Sequence, residues 1–236
     1  MKLHAFELRQ YAMKPGRRDE LITLFERAFV ETQEAAGIRL IGLFRDMDQP
    51  DRFVWMRGYP DQAARKPALE AFYNSDHWFA HRAATNATMT RSDDVLLLRP
   101  LSPGLAPDVS ALIPTGGQPG RGVVVAGVHR LEGPDDPLVE AFQTAFVDAL
   151  AEAGLAVGTA GITDPTPNSF PRHPVREGEW VLVWLSPQPD GGSADAALVR
   201  ARADPRLAPL LATTLQLLRL QPTARSRLQG GPPIAG

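Results

Sequence analysis

Apolar residues stand at i, i+4, i+7 and i+8 in Leu21, Phe25, Ala28 and Phe29, and the same spacing returns 117 positions later in Leu138, Phe142, Ala145 and Phe146. Each set is one stripe of an amphipathic helix that needs a sheet to cover. Both helices close on an Ala-Gly pair, Ala36-Gly37 and Ala153-Gly154, with a strand-like run after it, and glycine suits the left-handed position beyond a helix end. The chain therefore reads as one unit written twice.

Around these helices the pattern predicts β-strands at residues 3–13, 38–47, 52–59 and 95–98, with helices from about Arg17 to Ala36 and from Asp61 to about Ala84, Pro67 breaking the second or opening a fresh turn. The second half repeats the βαββαβ order. Its strands are expected at 123–131, 155–162, 180–185 and 215–220, and its helices at 136–153 and 194–212. The domain reading is residues 1–100, a Pro/Gly linker at 101–120, a second, divergent unit at 121–222, and a disordered tail at 223–236.

Several strands are apolar on both faces, among them Phe53 to Met56, Val95 to Leu98, Val123 to Ala126 and Trp180 to Trp184. Helices can cover only one face of such a sheet, so the other face needs the sheet of the other half. The expected fold class is α+β: two tandem ferredoxin-like βαββαβ units, sheets packed face to face as an α/β barrel within one chain.

Composition narrows the chemistry by exclusion. The 236 residues carry a formal charge of −2, with 15 basic and 14 acidic residues up to Pro100 and then 10 and 13. That balance supplies no phosphate-binding stripe, so nucleic acid is not an expected partner. With no cysteine there is no disulfide, thiolate nucleophile or Cys-ligated metal. The charged N-terminus lacks a signal-peptide core, no apolar run is long enough to span a membrane, and the expected location is cytoplasmic. Nucleotide-loop, hydrolase-elbow and zinc spacings are missing, so no cofactor and no metal are expected.

Three groups of side chains are candidates for a site. His77 and His81 stand at i and i+4 beside Trp78 and Arg82, one helical face that could hold a metal or haem edge or move protons; the plain alternative is a pair of hydrogen-bonded helix residues. The connection from Thr163 to Gly178 brings Phe170, Arg172, His173 and Arg176, which could hold an oxyanion and shift a proton, or simply decorate a Pro-braced surface hairpin. Tyr11, Trp55, Arg57, Tyr59 and Trp184 lie on strands, with Trp55 aligned to Trp184 across the repeat. Both tryptophans suit a core, whereas Arg57 among aromatics needs a partner, water or a ligand.

Glu7-Leu-Arg-Gln-Tyr11-Ala-Met-Lys14-Pro-Gly16, with the helix to Leu21 and beyond, Ile41 to Phe44, Phe53 to Tyr59 and Asn74 to Trp78, resembles the opening of NIPSNAP-family domains through about residue 100. The segment Asn168 to Glu179 is similar to one found in tandem bacterial members. The resemblance implies the dimeric α/β-barrel superfamily, whose wider membership includes cofactor-independent monooxygenases, cyclases, dehydratases and haem-handling proteins. It carries over no catalytic residue. The function expected is binding of a small, mostly apolar aromatic or carbonyl compound, with any catalysis of a cofactor-independent monooxygenase, cyclase or isomerase type resting on His77, His81, His173 and Arg57. Two other readings stay open: a non-catalytic scaffold and a haem-handling protein. The chain is expected to be a monomer or a homodimer.

Overall fold

The computed structural model describes residues 1–118, 120 and 122–231. The first half runs β1 (Ala5–Met13), α1 (Arg18–Ala28), α2 (Val30–Ala35), β2 (Arg39–Asp46), β3 (Arg52–Tyr59), α3 (Gln62–Tyr73), α4 (Asp76–Thr88) and β4 (Met89–Pro100). The second half runs β5 (Val123–Leu131), α5 (Pro137–Ala141), a π-helical turn at Phe142–Phe146, α6 (Val147–Glu152), β6 (Thr159–Thr163), β7 (Trp180–Gln188), α7 (Gly191–Ala203), α8 (Ala208–Ala212) and β8 (Thr214–Pro222).

The eight strands close into one barrel in the order β1-β3-β2-β8-β5-β7-β6-β4. Each half supplies four neighbouring antiparallel strands, and the halves are joined at both margins, Phe44 to Asp46 of β2 against β8 and Leu98 to Pro100 of β4 against β6. Closure removes the free sheet edges that would otherwise invite pairing with another chain.

Strand alternation explains why both faces are apolar. From β1, Phe6 and Leu8 point into the barrel with Phe44, Val54, Met56, Leu96, Leu98, Val124, Ala126, Val128, Val183 and Leu220. Alternate residues Ala5, Tyr11 and Met13 point outward beneath α1 to α4, and Val123, Val125 and Leu131 do the same beneath the helices of the second half. An eight-stranded barrel is just wide enough to be filled by its own side chains. Its interior is a packed core, so a ligand must be sought between sheet and helices.

The helix boundaries depart from expectation for local reasons. Pro67 sits inside α3 without ending it, and the break falls at Asn74-Ser75, where the Ser75 hydroxyl accepts from the Trp78 N–H and opens α4. The last helical stretch is interrupted at Asp204-Pro205, a dipeptide that disfavours continuation. β4 extends back to Met89, because its polar outer end still pairs with β1 as far as Met13. β6 begins only at Thr159, since the Leu155 N–H turns back to the Leu150 carbonyl at 2.7 Å.

The expected tail at 223–236 divides. Residues 223–228 run along β2, with Thr223 and Ser226 fully buried and the N–H groups of Thr223 and Leu228 donating to the Leu43 and Ile41 carbonyls, and the Gly231 N–H donates to the Gln188 carbonyl of β7. Residues 232–236 lie outside the described residues.

Candidate functional site in the first half

A cavity of about 310 Å³ opens between the outer face of β1 and β3 and the helices α1, α2 and α4. Such a volume is at the small end of ordinary small-molecule sites. Its walls are aromatic: Tyr11, Phe25, Phe29, Trp55, Phe72, Tyr73 and Trp78. These rings meet mostly edge to face, as at Phe25 and Trp55 with centroids 5.0 Å apart, the arrangement their quadrupoles favour. Polar lining comes from Gln33, Arg82, Thr85, Asn86, Ser92, Arg172 and His173.

Behind the aromatic wall lies a buried ion cluster. Glu7 faces Arg57 directly in the β1–β3 register, and its carboxylate accepts from Arg9 Nη1 at 2.5 Å, Arg57 Nε at 2.7 Å and Arg65 Nε at 2.8 Å. All four residues are buried. Burial alone pushes the Glu7 carboxyl up, but Arg57, Arg9 and Arg65 together hold it far below the usual carboxylate range. Arg9 Nε also donates to the Tyr11 hydroxyl, and Arg57 Nη1 to the Tyr73 hydroxyl, each at 3.2 Å. Among the described residues, Nη2 of Arg57, Nη2 of Arg65, the Tyr59 hydroxyl, Trp55 Nε1 and Gln33 Oε1 are buried without a hydrogen-bond partner.

The second half contributes the cover. Because β6 pairs with β4, the connection between β6 and β7 leaves the barrel beside the first half, with Asp164 N–H on the Leu97 carbonyl and Arg176 N–H on that of Val95. Between those anchors it folds over α3: Arg65 Nη1 donates to Asn168 Oδ1 at 2.9 Å and Arg172 Nη2 to Asn74 Oδ1 at 2.9 Å. Phe170 is buried in the first half's outer core. His173 stacks on Tyr73 with centroids 3.8 Å apart. Burial, then the positive charges of Arg57 and Arg9, push the His173 imidazole down to about 3, so at neutral pH it is an uncharged acceptor.

The residues singled out in sequence thus separate. Tyr11, Trp55, Trp78, Arg172 and His173 line the cavity, and Arg57, Tyr59 and Phe170 lie in or against the wall behind it. Arg176 is elsewhere, paired with Asp94 and Glu179. His77 and His81 are outside the lining: His77 Nε2 meets the Ala28 carbonyl at 2.7 Å, His81 Nδ1 meets that of His77 at 2.9 Å, and both rings pack edge-on to Phe29. Among the described residues no group of three His, Asp or Glu could hold a metal.

Trp184 marks the matching position in the second half, and there the space is filled. Glu7, Arg9, Arg57 and Arg65 correspond by register and helix cap to Val125, Gly127, Ser186 and Ala194. A side chain at Gly127 would meet the Trp184 indole at 2.5 Å. The indole therefore lies where the first half carries Arg9. Trp184 Nε1–H donates to His129 Nε2 at 2.9 Å, and His129 Nδ1–H donates to the Leu210 carbonyl at 2.9 Å. Since an indole can only donate, His129 is the neutral imidazole with its proton on Nδ1. Burial pushes it down to about 4, the Leu210 contact opposing.

Residues 6–103 match the NIPSNAP family model. A protein of Lactobacillus acidophilus NCFM whose name proposes a monooxygenase superposes with a TM-score of 0.55 at 13% identity, over 95% of this chain and 97% of that one. A protein of Fusobacterium nucleatum, named in the same way, gives 0.53 at 10% identity over 98% and 97%. A NIPSNAP-like domain protein of Burkholderia xenovorans is 25% identical over 50% of this chain and 98% of its own, with a TM-score of 0.40. No curated protein matches the sequence. At such identities the two whole-chain likenesses establish a shared fold and leave the chemistry to the site. No helix among the described residues is long and apolar enough to cross a membrane. Residues 6–103 of this chain are a NIPSNAP domain, and the whole chain is a tandem α/β barrel.

Proposed function

We propose that this protein binds one small aromatic or carbonyl compound in the cavity of its first half, with the second half serving as barrel partner and cover. The observation that carries this reading is the contrast between two matching tryptophans. Trp184 donates to His129 in a filled site, whereas the buried N–H of Trp55, a residue of the cavity lining, has no partner among the described residues. An unpaired buried donor costs about 1–3 kcal/mol, and a ligand oxygen at that donor would recover it.

The aromatic walls favour a flat ring. Stacking and edge contacts reward such a ligand beyond the area it buries. His173, uncharged and stacked at the cover, is assigned as a hydrogen-bond acceptor for the ligand, and Arg57 acts from behind the wall through Tyr73. We assign His77 and His81 to fastening α4 onto α1. Closure of both barrel margins within one chain favours a monomer.

Calorimetric titration with 2-naphthol tests the reading. Ser92, half-exposed in the cavity lining, is the place to block it. Saturable binding to the native chain that disappears in Ser92→Trp is expected. Equal binding to both, or binding to neither, would overturn it.

A further inference from the structure

The cavity wall conceals an unbalanced charge. Arg9, Arg57 and Arg65 carry three positive charges against the single negative charge of Glu7, and among the described residues no other carboxylate bonds to them. Each of the four side chains is at most 1% exposed. A surplus of charge held away from water is costly unless something of opposite sign balances it. The fold does not demand this cluster, because the second half builds the same strands and helix with Val125, Gly127, Ser186 and Ala194 at those places.

The surplus reaches the cavity through residues that line it. The Tyr11 oxygen already accepts from Arg9, and the Tyr73 oxygen from Arg57, so each hydroxyl keeps its own hydrogen to donate. Among the described residues neither finds an acceptor, nor does Trp55 Nε1–H. The guanidinium carbons of Arg9 and Arg57 each stand 5.2 Å from the centre of the Trp55 ring. No acidic residue lines the cavity among the described residues, while Arg82 and Arg172 do. Preorganised donors backed by fixed positive charge in a dry site are the arrangement that stabilises an oxyanion.

We propose that the cavity holds its aromatic ligand as an oxygen anion, a phenolate or enolate, accepting from the Tyr11 and Tyr73 hydroxyls and the Trp55 N–H, with the Glu7, Arg9, Arg57 and Arg65 cluster as the positive field behind them. This rests on the binding reading above and narrows its ligand class. A ligand arriving as the neutral phenol gives its O–H proton to the buffer, and no bond other than that O–H changes.

The test is a spectrophotometric pH titration of 4-nitrophenol with the protein in excess, set against binding of 4-nitroanisole, which has the same ring and no ionisable oxygen. The phenolate is expected to bind at least about tenfold more tightly than the phenol, lowering its ionisation pH by a unit or more when bound. The anisole is expected to bind more weakly than the phenolate by a similar factor. Tyr11→Phe and Tyr73→Phe, each checked for fold by circular dichroism, should reduce the phenolate preference and leave anisole binding in place. Because the cluster is buried, the preference should persist at high salt. Loss of the preference at high salt would place it on the surface and overturn the proposal. Phenolate and anisole binding equally would also overturn it and leave the cavity reading standing, whereas binding of neither would sink both. Should the tyrosine variants not fold, the native-chain comparison still decides.

Discussion

Replacing Glu7 by Gln removes the one negative charge from a buried cluster of four. The new amide keeps the shape of the carboxylate but cannot accept from Arg9, Arg57 and Arg65 together. Three guanidinium groups that now bond the carboxylate at 2.5, 2.7 and 2.8 Å would face one another uncompensated. Breaking a buried pair by deleting one partner costs about 3–5 kcal/mol, and three contacts on one carboxylate place Glu7→Gln at the upper end. Arg65→Met is its informative counterpart. It breaks one of the same contacts but lowers the charge surplus and removes a guanidinium whose Nη2 is already unpartnered among the described residues. Its expected cost is below about 2 kcal/mol, mainly from the lost bonds to Asn168 and Ser169. Urea unfolding followed by far-UV circular dichroism measures both, with equal slopes confirming comparable unfolded states. A loss under about 1 kcal/mol for Glu7→Gln, or a larger loss for Arg65→Met, would refute the charge account.

Other expectations follow from the same geometry. His129 has its folded ionisation lowered to about 4 from the ordinary histidine range near 6.5. It therefore contributes stability fully present above pH ~6.5 and progressively lost as pH falls towards ~4, roughly 3 kcal/mol in all; urea midpoints between those pH values should fall in the native chain and fall less in His129→Gln. His173, lowered to about 3, acts in the same direction. Phe170→Ala removes a buried ring of the cover and should cost about 3–5 kcal/mol, while speeding 2-naphthol exchange in stopped-flow mixing; unchanged kinetics would mean that the connection does not cover the site. Asp61→Ala and Asp190→Ala each delete a side chain that caps a helix, α3 or α7, and each should cost about 1 kcal/mol in thermal unfolding.

Much of the fold could be read in the sequence because its apolar pattern has local causes. The stripes Leu21 to Phe29 and Leu138 to Phe146 mark helices on their own, and strands apolar on both faces imply a second sheet. The hydrogen bonds that zip β2 to β8 and β4 to β6 are long-range, and nothing local encodes them. Arg57 drew attention as a charge among aromatics, while Glu7 and Arg9 were not among the candidate site residues. Their signal was present: Glu7, Arg9 and Tyr11 occupy alternate positions, hence one face, of a strand whose other outward residues are apolar. Arg65 was not singled out within its helix, and only the placement of α3 over Glu7 buries it. Trp184 and Trp55 align in sequence, yet one is filled in and the other lines a cavity. That difference turns on Gly127 against Arg9 and His129 against Tyr11, and it shows only once the strands are paired.

The central claim is that one half of a doubled fold binds and the other does not. Native mass spectrometry of the intact chain in excess 2-naphthol measures this directly, resolving subunit number and bound copies together. One ligand on one monomer, absent in Ser92→Trp, is the predicted result. Two ligands per chain, which would mean that the Trp184 half also has an open site, or binding that survives Ser92→Trp, would contradict it.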